Sequence, residues 1–301
     1  MNSRQTPHCG HVVIIGRPNV GKSTLMNHVL GVHLAATTPK PQTTRNRILG
    51  IHTQDDYQLV FVDTPGIHAD AKKLLNRKLN KTAIATLAEA DVIVFLVEAG
   101  SWTEEDRRVL EYLQAVDVPV ILVANKVDRI GNKESLLPYL QAMSLRHAFA
   151  ELVPISAFRA QDIDYLLEKI KAHVPRRAFE FEEDEMTDRS MRFVSSELIR
   201  EQLMQALEKE VPYSVAVQIE QYEEGPKGIT IGAVIYVERE GQKRIVIGKK
   251  GETLKKVGME ARKRIAGIVG CPVHTKLWVK VKEGWTENAR LLEQFSLDRD
   301  L

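Results

Sequence analysis

A glycine-rich segment near the start of the chain has the residue types that bind phosphate groups. It matches the pattern GxxxxGK[ST], and its residues are Gly16, Arg17, Pro18, Asn19, Val20, Gly21, Lys22 and Ser23. Glycines in this pattern let backbone N–H groups point at phosphate oxygens, the lysine neutralises the β- and γ-phosphates, and the serine hydroxyl binds Mg²⁺. We therefore predict a nucleotide-binding loop in which Lys22 contacts phosphate and Ser23 binds the metal.

A second motif follows a later apolar run and could complete the phosphate site. Its residues are Asp63, Thr64, Pro65 and Gly66. The Asp63 carboxylate is placed to hold Mg²⁺ through a water molecule, and the Gly66 N–H can approach a γ-phosphate. Taken alone, this DxxG pattern usually marks only a turn, so its weight comes from its place after a strand.

Two further motifs discriminate between nucleotides, and their residues are Asn125, Lys126, Val127 and Asp128 in the first and Ser156 and Ala157 in the second. Asp128 can accept hydrogen bonds from the guanine N1–H and the 2-amino group, a pair of donors that adenine lacks. A backbone N–H at Ser156 and Ala157 can reach guanine O6. The motifs favour GTP and oppose the alternative of a P-loop kinase or ATPase.

The motifs of the first half follow short β-branched runs that alternate with helical patterns. The strand runs are HVVIIG, YQLVFVD, DVIVFLVE, VPVILVAN and ELVPIS, and helices are predicted at 23–30 and 162–173. Continuously apolar strands such as 92–97 are typical of sheets buried on both faces. We predict an α/β domain over residues 8–175, with a mostly parallel sheet flanked by helices.

The second half of the chain has segregated strands and helices, which predicts an α+β domain over residues 192–301, including a C-terminal tail. Five acidic residues among 180–185 precede it, and we predict an acidic linker over 176–191. The predicted elements are a helix at 193–210, strands at 213–223 and 229–240, a short strand KRIVIG, a helix at 251–268 and a strand at 273–282.

A loop after the KRIVIG run has the composition of a nucleic-acid contact. Its residues are Gly248, Lys249, Lys250 and Gly251, and the segment 243–264 around it carries nine basic side chains against two acidic ones. Glycines let the backbone approach a sugar-phosphate chain, and lysines attract polyanions. We predict that this loop, together with Lys255 and Lys256, binds RNA; for the last two, a solvated surface role is the alternative.

The helix after the loop also carries an apolar stripe, which consists of Leu254, Val257, Ala261 and Ile265. Helical spacing of this kind favours core packing over base contact. Because aromatic residues are sparse near the loop, we expect bases to be recognised by hydrogen bonds to their edges and by aliphatic packing more than by ring stacking.

The composition indicates an ordinary folded protein. Hydrophobic residues make up 44% and charged residues 27% of the 301 residues, and the net charge is +2 with histidines neutral, so bulk charge names no partner. Cys9 and Cys271 lie far apart, which supports neither a disulfide framework nor a zinc site and favours a reducing cytosol. We expect neither a signal peptide nor a membrane span.

The motifs and their order resemble the Era family, bacterial Ras-like GTPases of the translation-factor class that carry a C-terminal KH domain. The resemblance runs from about residue 10 to about residue 284 and rests on GRPNVGKS, PQTTR, DTPG, NKVD, SA and VIGKKG. It implies a P-loop GTPase domain followed by a KH domain. The order of a helix, two strands and the GxxG element is similar to that of type II KH domains.

The resemblance also implies roles in hydrolysis. A switch loop in such GTPases supplies a threonine that closes on Mg²⁺ and the γ-phosphate; the QTTR stretch places Thr44 there, with Thr43 as the alternative. Ile67 stands where Ras-type proteins have the glutamine that orients the attacking water. Asn19 is implied to help hold a K⁺ ion beside the phosphates; the alternative is that it merely shapes the loop. The predicted catalytic residues are Lys22, Thr44, Asn19 and Gly66.

The implied function is a GTP-hydrolysing switch that binds 16S rRNA through its KH domain and acts in assembly of the small (30S) ribosomal subunit. The expected ligands are GTP or GDP, Mg²⁺ and K⁺, and the expected partners are the 3′ region of 16S rRNA and the 30S subunit. We expect a cytoplasmic monomer, for which the resemblance implies peripheral association with the inner face of the cell membrane. The rival interpretation, kept open by Ile67, is a constitutive RNA-binding protein in which GTP is mainly structural.

Overall fold

The computed structural model describes residues 6–67 and 74–295 and divides the chain into two compact units. The first unit comprises Met1–Gly31, Arg47–Ala71 and Asn76–Asp188, and the second comprises Val32–Asn46, Lys72–Leu75 and Arg189–Leu301. The segment 32–46 therefore belongs to the second unit, although in sequence it lies between two elements of the first.

The first unit is built on a six-stranded sheet. Its strands are β1 (His8–Ile15), β2 (Ile48–Gln54), β3 (Tyr57–Asp63), β4 (Val92–Glu98), β5 (Val120–Asn125) and β6 (Glu151–Pro154). Their order in the sheet is β2-β3-β1-β4-β5-β6, and every neighbouring pair is parallel except β2 and β3. The predicted mostly parallel sheet is confirmed.

Helices connect these strands. They are α1 (Lys22–Leu30), α2 (Leu74–Thr86), α3 (Glu104–Leu113), α4 (Leu136–Ser144) and α5 (Ala160–Lys171). Thr103 begins α3 with a capping box, in which its hydroxyl accepts from the N–H of Asp106 and the Asp106 carboxylate accepts from the N–H of Thr103. The helices predicted at 23–30 and 162–173 correspond to α1 and α5.

The strand β2 is not predicted from the sequence. Its run ILGIHTQ is short, ends in polar residues and contains Gly50, which weakens a strand pattern. The fold explains this glycine, because a Cβ at Gly50 would lie 2.6 Å from Leu30 Cδ1 on α1. The glycine lets the edge strand pack closely against the helix that follows the predicted phosphate loop.

The core of the first unit lies against the parallel strands. All six residues of 92–97 are completely buried, which agrees with the prediction of a strand covered on both faces. Apolar residues on one face of the sheet, among them Val13, Val60 and Phe95, form a cluster with side chains from the helices, and Ile67 belongs to this cluster. The carboxyl ends of β1, β3, β4, β5 and β6 consequently project polar loops from a closely packed base.

The second unit has the element order helix, strand, strand, helix, helix, strand, helix. The elements are α6 (Met191–Ala206), β7 (Ala216–Gly225), β8 (Gly228–Val237), α7 (Glu240–Ile247), α8 (Glu252–Val269), β9 (Val273–Val281) and α9 (Ala289–Phe295). The sheet order is β7-β8-β9, with β8 antiparallel to β7 and parallel to β9. The predicted α+β architecture is confirmed.

The predicted strand KRIVIG is wrong, because residues 243–247 lie in α7. A short run of β-branched residues cannot be told from a buried helical segment by its pattern alone. Two features favour the helix, a cap at its start and burial at helical spacing, because Gln242 and Val246 are both buried and lie four residues apart. The Gln242 side chain accepts hydrogen bonds from the N–H groups of Glu238 and Arg239 at the helix start, and both Arg244 and Ile245, between the two buried residues, are exposed.

The stretch before the second unit lies along the first. Arg177 forms an ion pair with Asp91 at 2.7 Å, and the Gln58 side chain accepts from the N–H groups of Glu180 and Phe181 at 2.9 and 3.0 Å. The boundary between the units falls after residue 188, inside the predicted linker 176–191. Most of that segment is thus held by the first unit.

Within the described residues, none of the helices combines the length and apolar character that crossing a membrane requires.

Candidate nucleotide site and RNA-facing loop

The predicted phosphate loop connects β1 to α1, and close contacts explain its glycines. A Cβ at Gly16 would lie 2.3 Å from the carbonyl oxygen of Leu96, and one at Gly21 would lie 2.4 Å from Asn125 Nδ2. Gly21 also has a φ of 108°, which side-chain-bearing residues rarely adopt. Only glycine allows the loop to approach β4 and β5 so closely. Asn19 has a left-handed φ of 66° at an exposed position of the same loop.

Lys22 is buried beneath this loop. Its Nζ donates hydrogen bonds to the carbonyl oxygens of Gly16 and Arg17, both at 3.0 Å. Burial lowers the pKa of Lys22 to about 8, and the negative charge of Asp63 partly opposes this shift. The Lys22 ammonium group is therefore held in place by carbonyl groups of the phosphate loop. A bound phosphate would stabilise its positive charge, which burial disfavours.

The predicted metal residues Ser23 and Asp63 are brought together. Ser23 Oγ at the start of α1 donates to Asp63 Oδ2 at the end of β3 over 2.6 Å, and the Asp63 side chain is fully buried. The next residue, Thr64, donates its hydroxyl to the carbonyl oxygen of Ile14 at 2.8 Å, which ties the DxxG loop to β1. A hydroxyl beside a carboxylate is a set of hard oxygen donors, which fits Mg²⁺.

The glycine of the DxxG motif, Gly66, lies against the phosphate loop. A Cβ at Gly66 would lie 3.0 Å from the backbone nitrogen of Pro18, so the two loops touch through backbone. Ile67, directly after the motif, is 4% exposed and packs in the core. Its side chain faces the apolar interior and offers no polar atom to a water molecule.

The base-recognition motifs meet at the ends of β5 and β6. Asn125 Nδ2 donates to the carbonyl oxygen of Val20 at 2.8 Å, while its Oδ1 accepts from the N–H groups of Lys126 and Ala157 at 2.8 and 3.0 Å. The asparagine is 2% exposed, so its amide forms hydrogen bonds inside the protein and has a structural role. It joins the phosphate loop to both loops predicted to hold guanine.

Asp128 is exposed and its charge is stabilised locally. A hydrogen bond with the Ser156 side chain holds the pKa of Asp128 below its ordinary value, so the carboxylate is ionised at neutral pH. Ser156 in turn donates its N–H to Asp162 Oδ2 at 2.7 Å. The acceptor that guanine N1–H requires is thereby preset, and the guanine contacts themselves remain predictions.

The predicted RNA loop lies between α7 and α8 and is shaped by positive backbone angles. Gly248, Lys250 and Gly251 have φ values of 74°, 53° and 81°. A Cβ at Gly248 would lie 2.2 Å from Thr253 Oγ1, so this position requires glycine. Lys249 and Lys250 project from the turn and are exposed.

The helix α8 separates basic and apolar side chains as predicted. Lys255 and Lys256 are exposed, whereas Val257, Ala261 and Ile265 are at most 1% exposed. The expectation that the apolar stripe packs in the core is confirmed for these three residues. The second unit thus presents two lysine pairs, one in the loop and one on the first turns of the helix.

Comparison with known proteins links both units to described families. The family described as 50S ribosome-binding GTPase matches residues 11–126, and the KH domain family matches residues 210–286. The GTPase Era of Yersinia enterocolitica is 44% identical over 302 residues, with 100% of both chains covered. The GTPase Era of Azotobacter vinelandii is 48% identical over 292 residues, with 97% of both chains covered.

This chain belongs to the Era family of GTPases. Two solved Era structures are also similar, each with a TM-score of 0.92 and coverage of 96% of this chain and 98% of the other. One is a variant of Aquifex aeolicus Era bound to GDP·AlF4⁻, at 38% identity. The other is Era in complex with MgGDPNP and nucleotides 1506–1542 of 16S ribosomal RNA, at 37% identity.

Thr43 and Thr44, the two candidates for the predicted switch threonine, lie in the segment 32–46 of the second unit, which we call the predicted switch segment. Thr43 donates its hydroxyl to the carbonyl oxygen of Lys40 at 2.6 Å and bonds to the Thr38 hydroxyl at 2.6 Å. Thr44 is buried. Its role as a metal ligand remains a prediction.

Glu98 is a supporting residue of the site that sequence analysis missed. Its carboxylate at the end of β4 pairs with Lys126 at 3.0 Å and with Arg17 at 3.3 Å, and Lys126 Nζ also donates to the carbonyl oxygen of Asn19 at 2.8 Å. A charged residue that ends an otherwise apolar buried strand is a signal that could have identified it, because the other site residues also follow such strands.

Proposed function

We propose that this protein is a GTP-hydrolysing switch that binds the 3′ region of 16S rRNA through a KH module, the predicted domain at residues 192–301 of its second unit, and acts in assembly of the 30S subunit. The observation that carries the proposal is the presence of both sites in one chain that matches, along nearly its whole length, Era in complex with MgGDPNP and 16S rRNA nucleotides 1506–1542. The nucleotide would then control how the KH module engages RNA.

The phosphate loop supplies the chemistry of GTP binding. Lys22 would contact the β- and γ-phosphates, and the loop N–H groups would line the phosphate chain. Ser23 and Asp63 would hold Mg²⁺, with Thr44 joining them when the switch segment closes. When bound, Mg²⁺ supplies positive charge to the phosphate oxygens as charge develops there. Gly66 would bring its N–H to the γ-phosphate.

Hydrolysis must proceed without a side chain that orients water at position 67, because Ile67 is buried in the core. We assign the missing transition-state stabilisation to Lys22, to backbone N–H groups and to a K⁺ ion held with the help of Asn19. Asn19 supports this assignment because it is an exposed residue of the phosphate loop, with a backbone φ in the left-handed region. Electrostatic contacts of this kind act on charge that develops during the reaction.

The KH module supplies the RNA contact. The exposed Lys249 and Lys250 would attract the phosphate backbone, and Gly248 and Gly251 would let the loop approach it. Exposed Ile245 on α7 supports recognition by aliphatic packing beside the loop. A cytoplasmic monomeric state and peripheral association with the inner membrane face remain predictions.

The experiment measures affinity for an RNA that contains the 3′ end of 16S rRNA by fluorescence anisotropy, with a non-hydrolysable GTP analogue or with GDP. The parent should bind RNA, and its affinity should depend on the nucleotide. The double variant Lys249→Ala/Lys250→Ala should lose about two units of slope in the plot of log affinity against log salt, because each lysine at a phosphate releases a counterion.

A matched control removes two exposed lysines elsewhere, Lys133 and Lys227. This double variant should bind RNA like the parent. Equal loss in both double variants would refute the loop as the RNA contact. RNA affinity that is identical with GDP and with the analogue would instead favour the constitutive RNA-binding alternative.

A further inference from the structure

The segment 32–46 is anchored to the second unit near its middle. Lys40 Nζ donates to the carbonyl oxygens of Met204 and Leu207 at the end of α6. A cation at the carboxyl end of a helix is favoured both by hydrogen bonding and by the helix dipole. Lys40 thus completes the end of the first helix of the KH module.

The residues on both sides of Thr44 are anchored as well. Arg200 on α6 donates to the carbonyl oxygen of Thr43. Arg45 donates to the carbonyl oxygens of Val215 and Tyr213 at 2.7 and 2.9 Å. Thr44 therefore stands between two residues whose backbone or side chain is bonded to the KH module.

A buried carboxylate, Glu201 on α6, holds the first part of the segment. Its Oε1 accepts from the N–H and the hydroxyl of Thr37 at 3.2 and 3.0 Å, and its Oε2 lies 2.9 Å from His33 Nε2. The Glu201 side chain is completely inaccessible to solvent. A buried charge is tolerated only when its hydrogen-bond partners are in place, so loss of the segment would leave Glu201 with fewer donors.

The same carboxylate is joined to the helix that follows the RNA loop. Arg264 on α8 donates to Glu201 Oε2 at 2.8 Å and lies 2.9 Å from His33 Nε2. Arg264 is one of the nine basic residues of the segment 243–264, but its charge is used in this internal cluster. Glu201 thus bonds on one side to the switch segment and on the other to the helix that begins at the GxxG loop.

We infer that Glu201 is a positioning residue that makes the segment 32–46 part of the KH module, so that a nucleotide which draws Thr44 toward the metal must act on α6 and α8. This inference rests on the proposed function and names the connection by which nucleotide and RNA influence each other. Coupling between two sites of a protein is reciprocal, so RNA bound at the loop would in turn bias the position of Thr44.

The segment 32–46 and α6 should move together, because a segment that moved alone would have to break many hydrogen bonds. Hydrogen bonds join the segment to the rest of the second unit at positions before and after Thr44, namely at residues 33, 37, 40, 43 and 45. If Thr44 and its neighbours moved alone, the buried Glu201 carboxylate and the partly buried Arg45 guanidinium would lose hydrogen-bond partners. Movement together with α6 keeps these bonds.

The test uses the full chain and two readouts, hydrogen–deuterium exchange of α6 with GDP or with a non-hydrolysable GTP analogue, and the ratio of RNA affinities in the two nucleotide states. In the parent, exchange in α6 should differ between nucleotides, and the RNA affinities should differ by about the 5- to 150-fold that is typical of coupled sites. In Glu201→Gln both differences should fall toward zero, while affinity for GDP is kept.

The second variant, Thr37→Val, removes one hydroxyl and leaves the Glu201–Arg264 pair intact, so it tests the connection without a change of charge in the core. Thr37→Ser should retain the parental behaviour because it keeps the hydroxyl. The control Glu208→Gln changes an exposed glutamate just beyond α6 and should behave like the parent.

Parental nucleotide dependence of α6 exchange in both Glu201→Gln and Thr37→Val would overturn the inference. An equal loss of this nucleotide dependence in Thr37→Val and Thr37→Ser would also overturn the inference, because the hydroxyl would then be irrelevant. A parent that binds no RNA would contradict the proposed function, whereas the exchange measurement would still decide the role of Glu201.

Discussion

Asn125 illustrates how one side chain assembles a binding site from distant parts of the chain. Its single amide bonds to Val20 in the phosphate loop and to Lys126 and Ala157 in the two loops predicted to bind guanine. A carboxylate could not replace it, because the bond to Val20 needs a donor and the other two need an acceptor. At the scale of the residue, Asn125 and Lys126 of NKxD bond within the protein, and Asp128 is the residue predicted to contact the base.

We predict that Asp128→Asn weakens the binding of GTP and GDP together. The amide can no longer accept from both guanine donors, and an unpaired donor costs about 2 to 3 kcal/mol, or roughly 30- to 150-fold in affinity. Titration with a fluorescent GDP analogue measures the change. Affinity for xanthine nucleotides should improve relative to guanine nucleotides.

The control for this substitution is Asp117→Asn, which makes the same chemical change at an exposed position before β5. It should bind GDP like the parent. Parental GDP affinity in Asp128→Asn would show that guanine is recognised elsewhere.

Asn19 carries a prediction about the monovalent cation. If it helps to hold K⁺ beside the phosphates, replacing K⁺ with Na⁺ should slow single-turnover hydrolysis, by up to about 10² to 10³ for a complete loss of one electrostatic contact. Asn19→Ala should hydrolyse GTP at the same reduced rate in both salts, with GDP affinity largely kept because Lys22 and Asp128 remain. Equal rates in K⁺ and Na⁺ for the parent would exclude the ion, and normal K⁺ stimulation in Asn19→Ala would exclude Asn19.

At the scale of the element, the loop 248–251 that is predicted to bind RNA is a turn between two helices rather than a strand-to-helix connection. The helix α7 ends at Ile247, directly before Gly248, and α8 begins directly after Gly251. Both glycines have φ angles that other residues rarely adopt, so the loop projects its two lysines from a backbone held at both ends. Its shape depends on the glycines more than on the lysines.

We predict that Gly248→Ala lowers RNA affinity about tenfold or more without changing GDP affinity. The added methyl would lie 2.2 Å from Thr253 Oγ1 at a φ of 74°, so the loop must distort. RNA titration and nucleotide titration of the same preparation separate the two effects. As a control, Gly241→Ala in α7 meets nothing within 4 Å and should leave RNA affinity unchanged. Unchanged RNA affinity in Gly248→Ala would argue against the loop as the contact.

At the scale of the whole molecule, the chain places one predicted catalytic threonine in the unit that does not contain the phosphate loop. The segment 32–46 is bonded to the rest of the second unit through charged groups that are buried, such as Glu201 and Arg200, or partly buried, such as Arg45. Burial lowers the pKa of Arg45 to about 9, and the nearby positive charge of Arg200 adds to the shift. Such groups stabilise the unit only while all their partners are present.

Acid should remove one part of this stability. Burial raises the pKa of Glu201, but the hydrogen bond and charge of His33 and the charge of Arg264 outweigh burial, so the pKa lies below its ordinary value of 4.5. The ionised carboxylate therefore stabilises the folded state at pH values above 4.5, and this contribution is lost as the pH falls through the lower, folded-state pKa.

The difference in urea midpoint between the parent and Glu201→Gln should consequently be largest near neutral pH and shrink as the pH falls below about 4.5. Glu208→Gln should differ little from the parent throughout. A difference between parent and Glu201→Gln that is independent of pH would show that the carboxylate charge contributes nothing.

The sequence by itself determined the chemistry of the nucleotide site. Its motifs are local patterns: GxxxxGK[ST], DxxG, NKxD and SA. Each lies directly after a strand that can be predicted from its apolar run. Because the carboxyl ends of parallel strands meet at one edge of a sheet, the separate motifs converge on a single site. The two-unit organisation and the core stripe of α8 were predictable for the same reason, since composition and helical spacing are local properties.

Only the tertiary structure decided which side chains hold these motifs together and to which unit the switch segment belongs. The run KRIVIG is helical because Gln242 caps the start of the helix that contains it and because Gln242 and Val246, one turn apart, are buried; the run itself specifies neither. Glu98 and Glu201 acquire their partners from residues far away in sequence. A buried carboxylate is stabilised by whichever donors the fold brings to it, and no spacing pattern within one segment contains that information.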